Sequence, residues 1–131
     1  MPKIFPFYKQ LDANDCGASC LRMIARYHGR YYSLDTLREM TYIDKQGVSL
    51  LGISDAAERI GFQTLAAKLT YARLSKDIPL PCVAHWNQEH FVVVHKVSER
   101  FAWIADPAAG KFKITREQFL KSWAGDVENG E

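Results

Sequence analysis

No apolar run in this chain approaches the roughly 20 residues that a membrane-spanning helix requires. The N-terminal stretch "MPKIFPFYKQ" lacks the apolar core of a secretory signal peptide. Three cysteines, Cys16, Cys20 and Cys82, make an odd count with no disulfide framework, which points to free thiols in a reducing compartment. No run of Lys and Arg marks a phosphate-binding stripe. With 17 basic against 15 acidic residues the net charge is only +2, and no zinc-finger or other nucleic-acid motif is present, so nucleic acid is excluded as a partner class. Internal repeats, linkers and low-complexity segments are absent as well. The expectation from these absences is a soluble, cytoplasmic polypeptide, either free or as the soluble piece of a larger membrane protein. What is present suits one globular domain: 131 residues, 47% of them hydrophobic, suffice to bury a core without covalent staples.

The two halves of the chain carry different periods. "CGASCLRMIARYHG" spaces Cys20, Leu21, Ile24 and Tyr27–His28 by three and four, which predicts a helix from Asp15 or Cys16, with Asn14 or Asp15 as N-cap and Gly29 as its stop. "SLDTLREM" predicts a second helix capped by Ser33. After the polar turn "DKQG", "SLLGISDAAERIG" predicts a third helix closed by Gly61. From Phe62 the pattern shifts towards alternation. "FQTLAAKL", "PCVAHW", "HFVVVHKV", "RFAWIAD" and "GKFKI" read as strands, with "DPAAG" as a turn. "TREQFLKSW" predicts a last helix, with Thr115 and Gln118 in capping-box positions. Helices first and antiparallel strands second define an α+β fold class, a helical N-terminal half packed on a C-terminal antiparallel sheet.

The stretch "QLDANDCGASC" raises the chemical question, because Cys16 sits between polar residues and a glycine. At a helix start the macrodipole and unpaired N–H groups favour a thiolate, and Gly17 leaves room beside the sulfur. As a simple core-helix residue Cys16 would be equally well accounted for. Cys20 and Cys82 read as small buried hydrophobes, since two thiols complete no zinc site. A thiolate nucleophile needs a base, and there are four histidines to choose from. His28 ends a helix, and His85 and His95 lie in or near strands. His90 opens "HFVVVHKV" after the polar turn "WNQE", at a strand mouth where a cleft can form. Asp106, sixteen residues on at the end of the next strand, falls where it can orient the His90 ring; Asp-Pro is also a common turn opener. Gln10 offers a side-chain amide for an oxyanion, beside the backbone N–H of Cys16. Each signal is weak alone. In chain order they form a thiol-protease set.

Taken together, "QLDANDCGASCLRMIARYHG", "HWNQEHFVVVHKV" and "WIADPAAG" resemble the bacteriocin-processing cysteine peptidase domain of peptidase-containing ABC transporters, over nearly the whole chain. The resemblance implies a papain-like fold with Cys16 as nucleophile, His90 as general base and then acid, Asp106 as its orienter and Gln10 in the oxyanion hole. It implies an endopeptidase that removes leaders after a Gly-Gly pair, with a narrow cleft that rejects side chains by sterics. The amphipathic leader helix is expected on a shallow apolar patch outside the cleft. Residues 1–131 are then a single peptidase domain, the N-terminal part of a longer exporter. Its partners are the precursor peptide and the membrane-spanning and nucleotide-binding parts, and its place is the cytoplasmic side of the bacterial inner membrane. No metal or organic cofactor is required in this domain, and ATP is expected only for an attached transporter. Two alternatives stand beside this: a non-catalytic leader-docking domain of an exporter, and a papain-like acyl transferase.

Overall fold

A computed structural model of the chain describes residues 4–11, 15–44, 47–48, 50–62, 70–86 and 90–123. Among the described residues five helices, α1 (Cys16–Tyr27), α2 (Leu34–Thr41), α3 (Leu50–Arg59), α4 (Tyr71–Asp77) and α5 (Arg116–Ser122), accompany six strands. A two-stranded ladder joins β1 (Tyr42–Asp44) to β2 (Gly47–Val48). The main sheet is an antiparallel meander in the order β3 (Cys82–Trp86), β4 (His90–Val97), β5 (Phe101–Asp106), β6 (Gly110–Thr115).

The first three helices begin and end where the sequence punctuates them. Ser33 Oγ accepts from the Thr36 N–H at 3.2 Å ahead of α2. α1 and α3 stop alike: Gly29 and Gly61 take φ of +83° and +103°, which an L side chain resists. In each case the next N–H folds back on the helix, Arg30 to Ala25 at 2.8 Å and Phe62 to Ala57 at 3.0 Å. The capping box at α5 forms in full between Thr115 and Gln118.

β4 carries an unbroken apolar run because both faces of the sheet are covered. Alternation sends Val92 and Val94 to one side and Phe91 and Val93 to the other. On the first side they meet Tyr71 and Leu74 of α4, Phe119 of α5 and Trp123. On the second they meet Cys16, Cys20, Met23 and Ile24 of α1, with Phe5 and Ile53. α1 has nine buried residues among its twelve, so it is an interior helix. Its opposite flank, Ala18, Leu21 and Ala25, packs on Leu34 and Leu37 of α2, on Ala56 and Ala57 of α3 and on Ile60 just beyond it. The result is a layered α+β domain with the helical half on one face of the sheet.

Two features depart from the sequence pattern. α4 was not signalled as an element, yet Thr70 caps it by accepting from the Arg73 N–H at 3.2 Å. Together with α5 it covers the face of the sheet opposite α1. Asp15 holds the N-cap position of α1 but makes no side-chain capping bond. Its carboxylate goes to Arg38 of α2 instead. The expected strand over 62–69, the Asn14 cap and the "WNQE" turn fall on or extend into segments outside the described residues.

Candidate active site

The interior position of α1 fixes its first residue. Cys16 is buried, 5% exposed, at the end of the helix that lies against β4. One turn later Cys20, with no exposed surface, donates its S–H to the Phe91 carbonyl oxygen at 3.3 Å. That bond ties α1 to the residue next to His90. Burial, with the Cys16 and Asp106 charges adding to it, pushes the Cys20 thiol well above its ordinary range, so it stays protonated. Cys82, in β3, is likewise pushed up to about 12 by burial. All three cysteines are free thiols.

β4 and β5 set the imidazole and carboxylate side by side. The ladder pairs Val93 with Ala105, so the next residue of β5, Asp106, comes to the sheet end where His90 begins β4. His90 Nε2 lies 2.6 Å from Asp106 Oδ1. Nε2 donates and the carboxylate accepts, which leaves Nδ1 for a second partner. Cys16 lies near enough to the ring to add to the upward shift of its pKa. The same Asp106 Oδ1 accepts the Ala108 N–H at 2.8 Å, and the Asp106 carbonyl accepts from Ala109 at 3.0 Å. The carboxylate therefore opens the "DPAAG" turn and holds His90 with one oxygen.

The electrostatics follow this geometry. His90 is raised from 6.5 to about 9, chiefly by its Asp106 bond and then by Cys16, against a smaller lowering from burial. Burial acts to raise Asp106, but the His90 bond and the Ala108 N–H outweigh it and hold the carboxyl below its usual value. At neutral pH the pair is an imidazolium beside a carboxylate.

The other histidines pack on rings. His28 lies against Tyr27 and Phe62, His85 stacks on Phe91 at 5.0 Å, and His95 stacks on Phe5 at 4.6 Å. Burial, with Lys111 and Lys96 nearby, lowers His95 to about 4, so it is a neutral packing residue. Gln10 lies on a strap, residues 4–11, that is hung from the sheet. Lys111 Nζ donates to the Phe5 carbonyl at 2.8 Å, and the Gln10 N–H donates to the Pro107 carbonyl at 2.9 Å. Gln10 is thus fixed to the residue that follows Asp106, with its side-chain oxygen buried.

Sequence reasoning missed the pair behind Cys16. Asp15 is wholly buried, and Arg38 grips it with two bonds, Nε to Oδ1 at 2.7 Å and Nη2 to Oδ2 at 2.5 Å. The only available signal was an Asp at the helix start and an Arg in the adjoining helix. A groove of about 620 Å³ lined by Ile4, Phe5, Phe7, Tyr27, Tyr31 and Lys111 includes none of Cys16, His90 or Asp106. Among the described residues no helix is long and apolar enough to cross a membrane.

Comparison with known proteins gives the family. Residues 4–127 match the model of the Peptidase C39 family. The lactococcin-G-processing and transport ATP-binding protein of Lactococcus lactis is 41% identical over 121 residues, covering 88% of this chain and 17% of that protein. The chain thus spans about a sixth of the length of such relatives. Among solved structures, a double glycine motif protease from an AMS/PCAT transporter, crystallised with the leader peptide, aligns with a TM-score of 0.86 and 32% identity, covering 92% of this chain and 86% of that one. The peptidase domain of Streptococcus ComA, a bifunctional ABC transporter of a quorum-sensing pathway, aligns with a TM-score of 0.85 and 30% identity, covering 93% and 94%.

Proposed function

The chain belongs to the peptidase C39 family of cysteine peptidases, and we propose that it is an endopeptidase that removes leaders from bacteriocin-like precursor peptides after a Gly-Gly pair, using Cys16, His90 and Asp106. The observation that carries the assignment is the imidazole of His90, bonded through Nε2 to Asp106 at 2.6 Å, with Cys16 near enough to help raise its pKa.

The chemistry follows from the protonation state. The Cys16 thiolate attacks the carbonyl carbon of the second glycine, and the carbonyl electron pair moves to oxygen. The backbone N–H of Cys16 and the side-chain amide of Gln10 donate to that oxyanion. His90 gives its proton to the departing amine as the C–N bond breaks, leaving a thioester on Cys16. Neutral His90 then takes a proton from water, whose oxygen attacks the thioester and releases the leader as a carboxylate. Asp106 keeps the ring in the required tautomer and favours the imidazolium. No metal or organic cofactor enters these steps. Glycines suit a nucleophile whose residue is only 5% exposed, since a backbone without side chains approaches a buried sulfur with the least bulk.

Residues 1–131 act, on this proposal, as a single peptidase domain at the N-terminus of an ABC exporter, on the cytoplasmic side of the bacterial inner membrane. The relatives that share this domain are about six times its length and are named as transport ATP-binding proteins. Leader removal is then coupled to export, and ATP is used by the transporter. The test is incubation of the chain with a Gly-Gly leader peptide and product analysis by mass. A new amine terminus after Gly-Gly that disappears in Cys16→Ala, with the fold retained, supports hydrolysis at this centre. Cleavage by Cys16→Ala at the original rate overturns it. A folded wild-type chain that binds the leader without cutting it makes this a docking domain.

A further inference from the structure

The residue before the nucleophile is placed unusually. An Asp at a helix N-cap ordinarily has extended backbone and accepts an N–H from the first turn. Asp15 has φ −92° and ψ 0° and caps nothing with its side chain. It is 0% exposed, and both carboxylate oxygens are taken by the guanidinium of Arg38, 23 residues away in α2. A third nitrogen, Nη1, reaches the exposed Asp35 at 3.3 Å. Buried ion pairs are a poor source of stability, because desolvation offsets most of their attraction. Helix packing by Leu34, Leu37, Ala18 and Leu21 already holds α2 to α1.

We propose that Arg38, acting through Asp15, is a positioning residue for Cys16: it fixes the first turn of α1 and neutralises the carboxylate adjoining the sulfur. The proposal rests on Cys16 being the nucleophile. Two carboxylates belong to this neighbourhood among the described residues: Asp106 of β5, bonded to His90, and Asp15, the residue before Cys16 in the chain. His90 from β4 balances the first and Arg38 from α2 balances the second. Cys20, on the same helix, is a protonated thiol and adds no charge. Without Arg38 a buried negative charge next to Cys16 opposes the thiolate. The carboxylate is also released to cap the N–H groups of the first turn, drawing them from the oxyanion.

The experiment uses the full chain and three readouts: the pH midpoint of iodoacetamide inactivation with adduct mapping to Cys16, kcat and KM on a Gly-Gly leader peptide, and thermal unfolding. Arg38→Met is expected to move the midpoint up by about one pH unit and to lower kcat about tenfold, with KM within twofold; a unit charge a few ångströms away acts on that scale. Arg38→Lys restores the midpoint, since it returns the charge without the fork. Adding Asp15→Asn to Arg38→Met also returns the midpoint, because the buried charge is gone. An Arg38→Met enzyme with the wild-type midpoint and kcat overturns the proposal, as does a double variant displaced as far as Arg38→Met. Should Arg38→Met fail to fold, Asp15→Asn alone decides: it moves the midpoint down, and an unchanged or raised midpoint overturns the idea. Cys16→Ala separates the two levels. If Cys16→Ala still cleaves, the nucleophile assignment is wrong; if it is dead while Arg38→Met is unaltered, only the role of Arg38 is lost.

Discussion

Replacing Asp106 dissects orientation from charge. Its Oδ1 accepts from His90 at 2.6 Å and from the Ala108 N–H at 2.8 Å. Asp106→Asn keeps an acceptor oxygen for both donors and removes the charge, whereas Asp106→Ala removes everything. A charge-assisted hydrogen bond contributes about 1.5–3 kcal/mol. At 1.36 kcal/mol per pH unit, its loss lowers His90 from about 9 by roughly one to two units, back towards 6.5. The turn bond to Ala108 costs about 1 kcal/mol more in the Ala variant, small against the roughly 5–15 kcal/mol that holds a domain folded. Both variants should therefore fold. NMR titration of the His90 ring protons, in a Cys16→Ala background that removes the coupled thiol, measures the first quantity. The pH profile of kcat/KM on a Gly-Gly leader measures the second. At pH 7, Asp106→Ala should lose roughly 10²–10⁴-fold, and Asp106→Asn should lose much less, because the ring remains oriented. Titration of His90 near 9 in Asp106→Ala, or undiminished kcat/KM, refutes the role given to the carboxylate.

Stability should depend on pH through His90. Its folded value, about 9, exceeds the unfolded 6.5, so its contribution is complete below pH 6.5 and disappears as pH rises through 9; the upper bound is about 3 kcal/mol. Urea midpoints should fall between pH 6 and 9.5 in the wild type and fall less in His90→Gln; equal falls would rule this out. Gln10→Ala should lower kcat by about 10²–10³-fold with KM little changed, as for removal of one oxyanion donor, and a change confined to KM would move Gln10 to substrate binding. Phe119→Ala, at a fully buried ring that meets Tyr71, Trp86 and Trp123 edge-on, should cost about 3–5 kcal/mol in denaturant unfolding, and a loss below 1 kcal/mol would show that the α4–α5 face is not a packed core.

The layout was legible wherever one residue type did one job. Gly29 and Gly61 ended helices because φ above zero excludes side chains. Thr115 and Gln118 announced α5 through a reciprocal cap. The Val-rich run "HFVVVHKV" declared β4 as a strand. Asp106 had two competing sequence readings, turn opener and orienter of His90, and its one oxygen makes both contacts. The misses came from tertiary choices. Thr70 with Tyr71, Leu74 and Ile78 carried the signal for α4, but at seven residues the period is too short to stand out from the strands around it. The fate of the Asp15 carboxylate was decided by a guanidinium from another helix, and nothing local to "ANDCG" discloses which of two partners, N–H or Arg, a buried carboxylate takes.

The Gln10–Pro107 tie has a consequence in time. The two residues are 97 positions apart, so the sulfur leaves the ribosome early while the imidazole, the carboxylate and the anchor for the strap follow much later. On the proposed function, a nascent chain halted before Pro107 lacks the anchor that holds Gln10, and competence waits on that late segment.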